Sequence, residues 1–403
     1  MKKILLSAFA CEPGKGSEQG NGWNWAVGLV NKGYEVHCLT RDVNRPGIET
    51  SNQPDHLHFH YIKMPLGTEA LYLMTPASIY LYYMMWQYLA YKKAKSLHKS
   101  VVFDIVHHVT WGSLQMGSYL YKLNIPFIFG PAGGGQKAPE LFKHYFLNHW
   151  ASEEKREKVS NWLIKYNPAC RKMLKKAHVV LASNPDTLLM ANKIGAKNCH
   201  FSLDTALPQS FFPTEVSVKL PVNGKLRLLW VGRFMPRKGV LLILDVMQQL
   251  KLIPEITLTI VGFGEMEEAI VTQIRDYNLE NTVKLAGKVP YDQVSTYYDS
   301  HDVFFFTSLR DSCPAQLLEA MAFGMPVVTL DLHGQALLVN DKTGIRCSAV
   351  SPGVAISELK EALLRLYNEP ALVSKMSAEA IRFARKQTWP EKIATIVENY
   401  YPC

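Results

Sequence analysis

The stretch LRLLWVGRFMPRKGVLLIL, Leu226–Leu244, carries the pattern that decides the fold. An apolar run, Leu226–Val231, gives way to a glycine and a basic turn, Gly232-Arg233-Phe234-Met235-Pro236-Arg237-Lys238-Gly239, and then to a helical run. A short buried strand that passes through a glycine turn into a helix is the unit from which parallel sheets with crossover helices are built. Working towards the C-terminus, further strands are expected at Thr257–Val261, Val283–Ala286, Val303–Phe306 and Pro326–Leu330, with helices between them. Towards the N-terminus, the segment Leu203–Leu226 carries Pro208, Pro213, Pro221 and Gly224 with little periodicity and reads as a linker. Before it lies a second series of strands: Ile4–Phe9, Glu35–Leu39, His58–Ile62, Asp104–His107, Phe127–Phe129 and His178–Leu181. Helices are expected between these too, for example at Trp23–Asn31 and Gly112–Tyr121.

The chain of 403 residues exceeds the size at which one hydrophobic core keeps growing. The reading is therefore α/β, with two Rossmann-like doubly wound domains facing one another. Residues 1–205 form the first, 206–388 the second, and the closing helix 389–403 returns to complete the first. In such sheets ligands bind beyond the carboxyl ends of the strands, which places the site in the cleft.

Composition narrows the function classes. Seven scattered cysteines include no C-x-x-C pair, so neither a zinc site nor a disulfide framework is indicated, and a reducing cytosol fits. The apolar run Ile4–Ala10 is short for a secretion signal and opens onto a glycine loop, as a first strand does. No apolar stretch reaches the roughly 20 residues of a membrane span. Charge is uneven: residues 1–205 hold 24 basic against 14 acidic side chains, the remainder 20 against 21. The first half therefore faces something anionic. No nucleic-acid-binding module is recognisable, so nucleic acid is excluded as the partner.

Four loops sit where a ligand would. Gly14-Lys15-Gly16-Ser17 follows the first strand and opens a helix, a place where backbone amides approach an anion. The third glycine of a dinucleotide fingerprint is replaced by Gln19. Arg233 and Lys238 can clamp a diphosphate from two directions. Gly262-Phe263-Gly264 repeats the tight turn. The fourth loop, SLRDSCPAQLLEAMAFGMPVV from Ser308 to Val328, brackets two carboxylates, Asp311 and Glu319, eight residues apart. Glu319 stands among Leu317, Leu318 and Ala320, where a buried carboxylate needs hydrogen-bond donors such as the hydroxyls of a ribose.

These residues resemble the retaining two-domain glycosyltransferases of the GT-B type, family 4. The Arg233…Lys238 pair matches that family's Arg-x4-Lys. Asp311…Glu319 matches its Glu-x7-Glu, with aspartate in the leading position. Ala10–Glu18 and Gly130–Gly135 resemble a bacterial subgroup concerned with surface polysaccharides. The resemblance implies transfer of a hexose from a UDP- or GDP-linked sugar to a glycan acceptor, with retention, no divalent metal and no cofactor.

It further implies that Arg233 and Lys238 neutralise the leaving diphosphate, that Gly16, Ser17, Gly232 and Gly262 approach the donor, and that Lys288 and Val289 lie near the base. Glu319 would hold the ribose, Asp311 the hexose, and Ser312, Cys313, Pro314 and Leu317 the rest of the donor pocket. His107 or His108, after the Asp104-x-x-His107 strand end, would stand near the reacting sugar, with His108 favoured; Glu140 is a lesser candidate. Two rival readings use the same scaffold: a nucleotide-sugar epimerase or sugar phosphorylase, and a non-catalytic nucleotide-sugar-binding partner.

The acceptor is expected on the basic first half. Leu71–Lys99 is rich in tyrosine and methionine, then basic, and its apolar part, Ile79–Ala90, is too short to cross a bilayer. It suits an interfacial helix with Tyr and Trp at headgroup level and Lys92, Lys93, Lys95 and Lys99 on anionic lipid. Lys165, Arg171, Lys172, Lys175 and Lys176 form a second basic stretch. The expected location is cytoplasmic and peripheral on the inner face of the membrane, with a lipid-linked acceptor.

Overall fold

Thirteen strands form among the described residues: β1 (Lys3–Ser7), β2 (Glu35–Arg41), β3 (Leu57–Ile62), β4 (Ile105–His108), β5 (Phe127–Ala132), β6 (Val179–Ala182), β7 (Cys199–Phe201), β8 (Leu226–Arg233), β9 (Ile256–Phe263), β10 (Val283–Gly287), β11 (Val303–Phe306), β12 (Val327–Leu330) and β13 (Gly344–Cys347). The computed structural model describes residues 1–402 apart from Leu66 and Thr75; the side chains of Ser17, Ala70, Leu73, Pro76 and Ala77 also lie outside the description. The strands assemble into a seven-stranded sheet in the order β3-β2-β1-β4-β5-β6-β7 and a six-stranded sheet in the order β10-β9-β8-β11-β12-β13. Every strand pairing is parallel. The order reverses between β1 and β4 in one sheet and between β8 and β11 in the other, which defines a topological switch point in each. The α/β doubly wound expectation is met in both.

The chain separates into two units. The first comprises Met1–Gly135, Lys158–Ala206 and Trp389–Cys403, and the second Gln136–Glu157 and Leu207–Thr388. Residues 136–157 thus cluster with the second unit, although they fall inside the stretch that the sequence reading assigns to the first.

Parallel sheets are covered on both faces, and their strands therefore read as near-continuous apolar runs. In the first unit, Leu5, Leu39, Val106 and Phe129 point to one face, against Trp86, Tyr82 and Tyr83. Ile4, Leu6, Val36, Ile105 and Ile128 point to the other, against Trp25, Trp389 and Ile393. The helix Trp389–Tyr400 packs on the helix Ser17–Asn31 so closely that a Cβ at Gly28 would lie 2.1 Å from the Ile393 side chain.

Three expectations need correction. The helix expected at Gly112–Tyr121 does not form. Turns and an isolated bridge between Ser113 and Gly133 take its place, and only Leu120–Leu123 makes a 3-10 turn. Gly117 adopts φ +64 there, a conformation that ends helical periodicity. β7 and β13 were not foreseen, since each is a short edge strand carrying polar residues rather than an apolar run. The helix Pro76–Val101 turns three of its large aromatic side chains inward. Trp86, Tyr82 and Tyr83 are fully buried and so cannot sit at a headgroup level.

Candidate active site

In the second unit β8 and β11 are neighbours, so the loops that leave their carboxyl ends emerge side by side. They are stitched together. Leu309 N donates to Arg237 O at 2.8 Å, Thr307 Oγ1 to Gly239 O at 2.8 Å, and Arg237 Nη1 to Arg310 O at 3.0 Å. Sequence separation of some 70 residues is thereby reduced to contact, and the two motifs read from the sequence meet.

What they form is an ion cluster. Lys238 Nζ, only 5% exposed as a residue, donates to Asp311 Oδ2, while Arg237 Nη1 lies 3.4 Å from the same oxygen and Ser308 Oγ donates to it at 3.3 Å. Burial pushes the Lys238 ammonium below its ordinary value, with Asp311 opposing. Burial works to raise the Asp311 carboxyl, yet Lys238 and Arg237 hold it below the usual carboxylate range. Asp311 is therefore an ionised partner placed on a buried cation, and the Lys238 ammonium also stands 5.2 Å over the Phe306 ring. Next to it, Arg310 pairs with Glu153 at 2.6 Å, and burial pushes its guanidinium down to about 10.

Glu319 lies on the helix Ala315–Ala322 and is 8% exposed. Both of its oxygens are taken: Tyr291 donates to Oε1 at 3.0 Å and Tyr298 to Oε2 at 2.8 Å. Burial raises the carboxyl, and the two hydroxyls oppose that rise. The sequence reading expected ribose hydroxyls to satisfy this carboxylate. Two tyrosines do so here, and neither was flagged, because nothing in Tyr291 or Tyr298 signals a partner 28 or 21 residues away. Tyr298 is buried, whereas Tyr291 is 57% exposed on a 3-10 turn and is the one a ligand hydroxyl could replace. Tyr298→Phe should lower unfolding stability by about 1–3 kcal/mol, because it strands a buried carboxylate oxygen. Denaturant titration beside Tyr291→Phe, expected to change stability by well under half as much, checks the difference.

The remaining residues singled out on this unit surround that core. Arg233 ends β8 and is exposed, and its side chain makes no hydrogen bond or ion pair among the described residues. Gly232 and Gly262 are register partners, and a Cβ at Gly262 would fall 1.8 Å from Gly232 O, so glycine is what allows β8 and β9 to end so close together. Lys288 follows β10, is exposed, and rests its ammonium 5.0 Å over the Phe263 ring; Val289 beside it is half-buried. Ser312 is half-buried, Cys313 and Pro314 are buried, and Pro314 caps the helix that Leu317 buries itself within. Glu140 is exposed.

In the first unit Gly16 caps the helix Ser17–Asn31 in an extended conformation; Ser17 opens that helix, and its side chain lies outside the described residues. His107 and His108 are both fully buried. His107 contacts Tyr401 Oη and Gly130 O, each at 2.8 Å; His108 contacts Ser7 Oγ at 3.0 Å and Tyr83 Oη at 3.2 Å. Burial pushes each imidazole down to about 3, so both are neutral at physiological pH. All four ring nitrogens are engaged within the protein.

A residue the sequence reading passed over stands nearby. Glu18 Oε2 accepts from Trp111 N at 2.9 Å, and Tyr83 Oη donates to Trp111 O at 3.2 Å. These bonds hold Trp111 at φ +56, unusual for a bulky residue, beyond the carboxyl end of β4. Desolvation of the carboxyl pushes Glu18 up to about 7, against the Trp111 amide, although the residue as a whole is exposed. The raised value means that the fold favours the neutral acid. The associated stability is thus fully present below about 4.5 and lost as pH rises through about 7. Glu18→Gln cannot ionise and should flatten that segment of the melting-temperature profile. Equal slopes for the two proteins between pH 5 and 7.5 would contradict the assignment.

The first unit also presents a surface stripe. On the helix Pro76–Val101, Leu81, Met84 and Tyr88 are exposed, and Lys92, Lys95 and Lys99 continue the same helical spacing. The helix Pro168–Lys176 buries Cys170, Met173 and Leu174 and exposes Arg171, Lys172, Lys175 and Lys176. No helix among the described residues is long and apolar enough to cross a membrane.

Two parallel doubly wound units with a switch point in each are the architecture found in GT-B glycosyltransferases. Consistent with that, sucrose-phosphate synthase from Thermosynechococcus elongatus superposes with a TM-score of 0.71 over 99% of this chain and 98% of its own, at 17% sequence identity. Residues 213–387 match the family model described as glycosyl transferases group 1. A glycosyltransferase of Haemophilus influenzae of uncharacterised specificity is 25% identical over 382 residues, 94% of either chain. The amylovoran biosynthesis glycosyltransferase AmsK of Erwinia amylovora is 31% identical over 159 residues, which span 37% of this chain and 39% of that enzyme. The chain is a glycosyltransferase.

Proposed function

We propose that the enzyme moves a hexose from a UDP- or GDP-linked sugar to a lipid-linked glycan acceptor, with retention of configuration and without a divalent metal, in the assembly of a bacterial polysaccharide. The observation that carries the donor half of this reading is the meeting of the Arg233–Lys238 and Asp311–Glu319 loops at the switch point of the second unit. Arg233 offers an unengaged guanidinium, and Lys238 a buried ammonium held by Asp311. A diphosphate arriving there gains two cations, and as the sugar–phosphate bond breaks these stabilise the charge that develops on the leaving group. Asp311 orients Lys238 and, once the diphosphate shares that cation, can turn towards the hexose. Ribose hydroxyls replace the exposed Tyr291 on Glu319 Oε1 while Tyr298 keeps Oε2.

With His107 and His108 fully engaged, their role in this reading is to fix the end of β4 beneath the reacting sugar. Proton transfer from the acceptor then falls to the departing phosphate, in keeping with same-face attack. AmsK, named for amylovoran biosynthesis, supports the polysaccharide setting. The exposed Leu81–Met84–Tyr88 stripe with its lysines supports peripheral attachment to anionic lipid at the inner membrane face, where a lipid-linked acceptor would be presented.

The test is a thermal-shift screen with UDP, GDP, ADP and their common sugars, run on the wild type, Arg233→Ala and Glu319→Ala. One nucleotide at 100 times its dissociation constant should add about 2.7 kcal/mol of stability to the wild type. Both variants should lose that response. Silence of the wild type towards every nucleotide, with magnesium or with EDTA, sinks the donor reading.

A further inference from the structure

The first unit carries a cluster of imidazoles that the reaction does not use. Parallel pairing sets His37 of β2 beside His58 of β3, and Leu39 beside His60, so that Glu35, His37, His58 and His60 lie on one face near the amino ends of these strands. That is the end of the sheet opposite the carboxyl ends where Gly16, Glu18 and Trp111 stand. One ligand atom from each of Glu35, His37 and His58 lies within 4.8 Å of the other two. His37 Nε2 is 3.0 Å from Glu35 Oε1, and its other ring nitrogen, Nδ1, is 2.9 Å from His60 Nε2. His37 is buried, Glu35 half-buried and His58 exposed.

We propose that Glu35, His37 and His58 bind a divalent cation of the zinc type, with His60 as the outer partner that fixes the His37 ring. Two imidazoles and a carboxylate suit zinc and the neighbouring first-row ions rather than magnesium or calcium, which take oxygen ligands. A metal-bound histidine characteristically donates its second N–H to an acceptor, and His60 Nε2 stands where that acceptor is needed. Lys3 Nζ, 3.4 Å from Glu35, is the cation that the metal displaces. Exposed His58 leaves the fourth position to water. β3 is the edge strand of the sheet, so the ion fastens that edge to β2. Its contribution is to stability and not to sugar transfer.

The experiment uses the tag-free full chain stripped with EDTA and titrated with Zn2+ by calorimetry and with Co2+ by visible absorption. One equivalent should bind, raise the melting temperature and give a cobalt spectrum of low coordination number. His60→Gln should weaken binding by roughly 10–100-fold, as loss of an outer partner does. His58→Ala and Glu35→Gln should weaken it further still, while each melts like the wild type in EDTA. Sugar-transfer or nucleotide-binding assays should be indifferent to the ion, so this inference and the donor reading fail independently. Absence of binding in the wild type overturns the proposal. So does zinc binding of unchanged affinity in both His58→Ala and Glu35→Gln, which would put the ion elsewhere, for example on thiols.

Discussion

Asp311→Ala is expected to lower the stability of the second unit by about 3–5 kcal/mol, the usual result of removing one member of a buried ion pair. The reason is the uncompensated charge it leaves behind. Lys238 is 5% exposed, its ammonium sits within the cluster, and the next charges are the guanidinium groups of Arg237 and Arg310. Without Asp311 the lysine must lose its proton, draw in water or pull its loop open. The double variant Lys238→Met with Asp311→Leu removes both charges at similar volume and should recover most of the loss, since apolar replacement of a buried pair is often neutral or better. Chemical denaturation of the two variants beside the wild type settles it: a double variant no more stable than Asp311→Ala would mean that the carboxylate supports the loop through Ser308 and not through the lysine.

Arg233→Ala should do the reverse, leaving stability within about 0.5 kcal/mol of wild type while lowering turnover roughly 100- to 1000-fold. Arg233 is exposed, and its side chain makes no hydrogen bond or ion pair among the described residues. In the proposed reaction it meets charge only when the diphosphate is present, and more of it as the sugar bond breaks. The loss should therefore appear in kcat as well as in KM. A fall in KM-dependent rate with kcat untouched would reduce Arg233 to a ground-state binding residue. Substituting lysine should recover only part of the rate, because a point charge cannot reproduce two parallel hydrogen bonds to phosphate oxygens.

The recurring strand–glycine turn–helix unit was legible from the sequence because it depends on local physics. Parallel strands buried on both faces must be apolar throughout, and the loops at their carboxyl ends must admit glycine, so the run Leu226–Gly239 announces itself. The edge strands β7 and β13 lack that signature and were invisible. The turn region after Trp111 looked helical in composition, yet backbone conformations such as Gly117 at φ +64 prevent it. Of the aromatic side chains of Pro76–Val101 expected at an interface, Tyr82, Tyr83 and Trp86 are core instead, since a helix on a sheet spends its largest apolar surface there, and Leu81, Met84 and Tyr88 are what remains outside.

Residue types and spacing thus picked out Arg233, Lys238, Asp311 and Glu319 as chemically unusual, and nothing more than sequence was needed for that. Who partners whom is a property of the tertiary structure. Lys238 meets Asp311 because β8 and β11, 70-odd residues apart, are neighbours at the switch point. Glu319 is held by Tyr291 and Tyr298, and His37 stands beside His58, for the same reason: parallel pairing and helix packing join residues across crossovers that no local period encodes. The sequence by itself determined the two doubly wound sheets and the loops that carry charge, since both follow from burial and turn geometry along the chain. Only the tertiary structure decided which charges are paired, which histidines are sealed in the sheet and which imidazoles can share an ion, because those depend on distances between strands far apart in sequence.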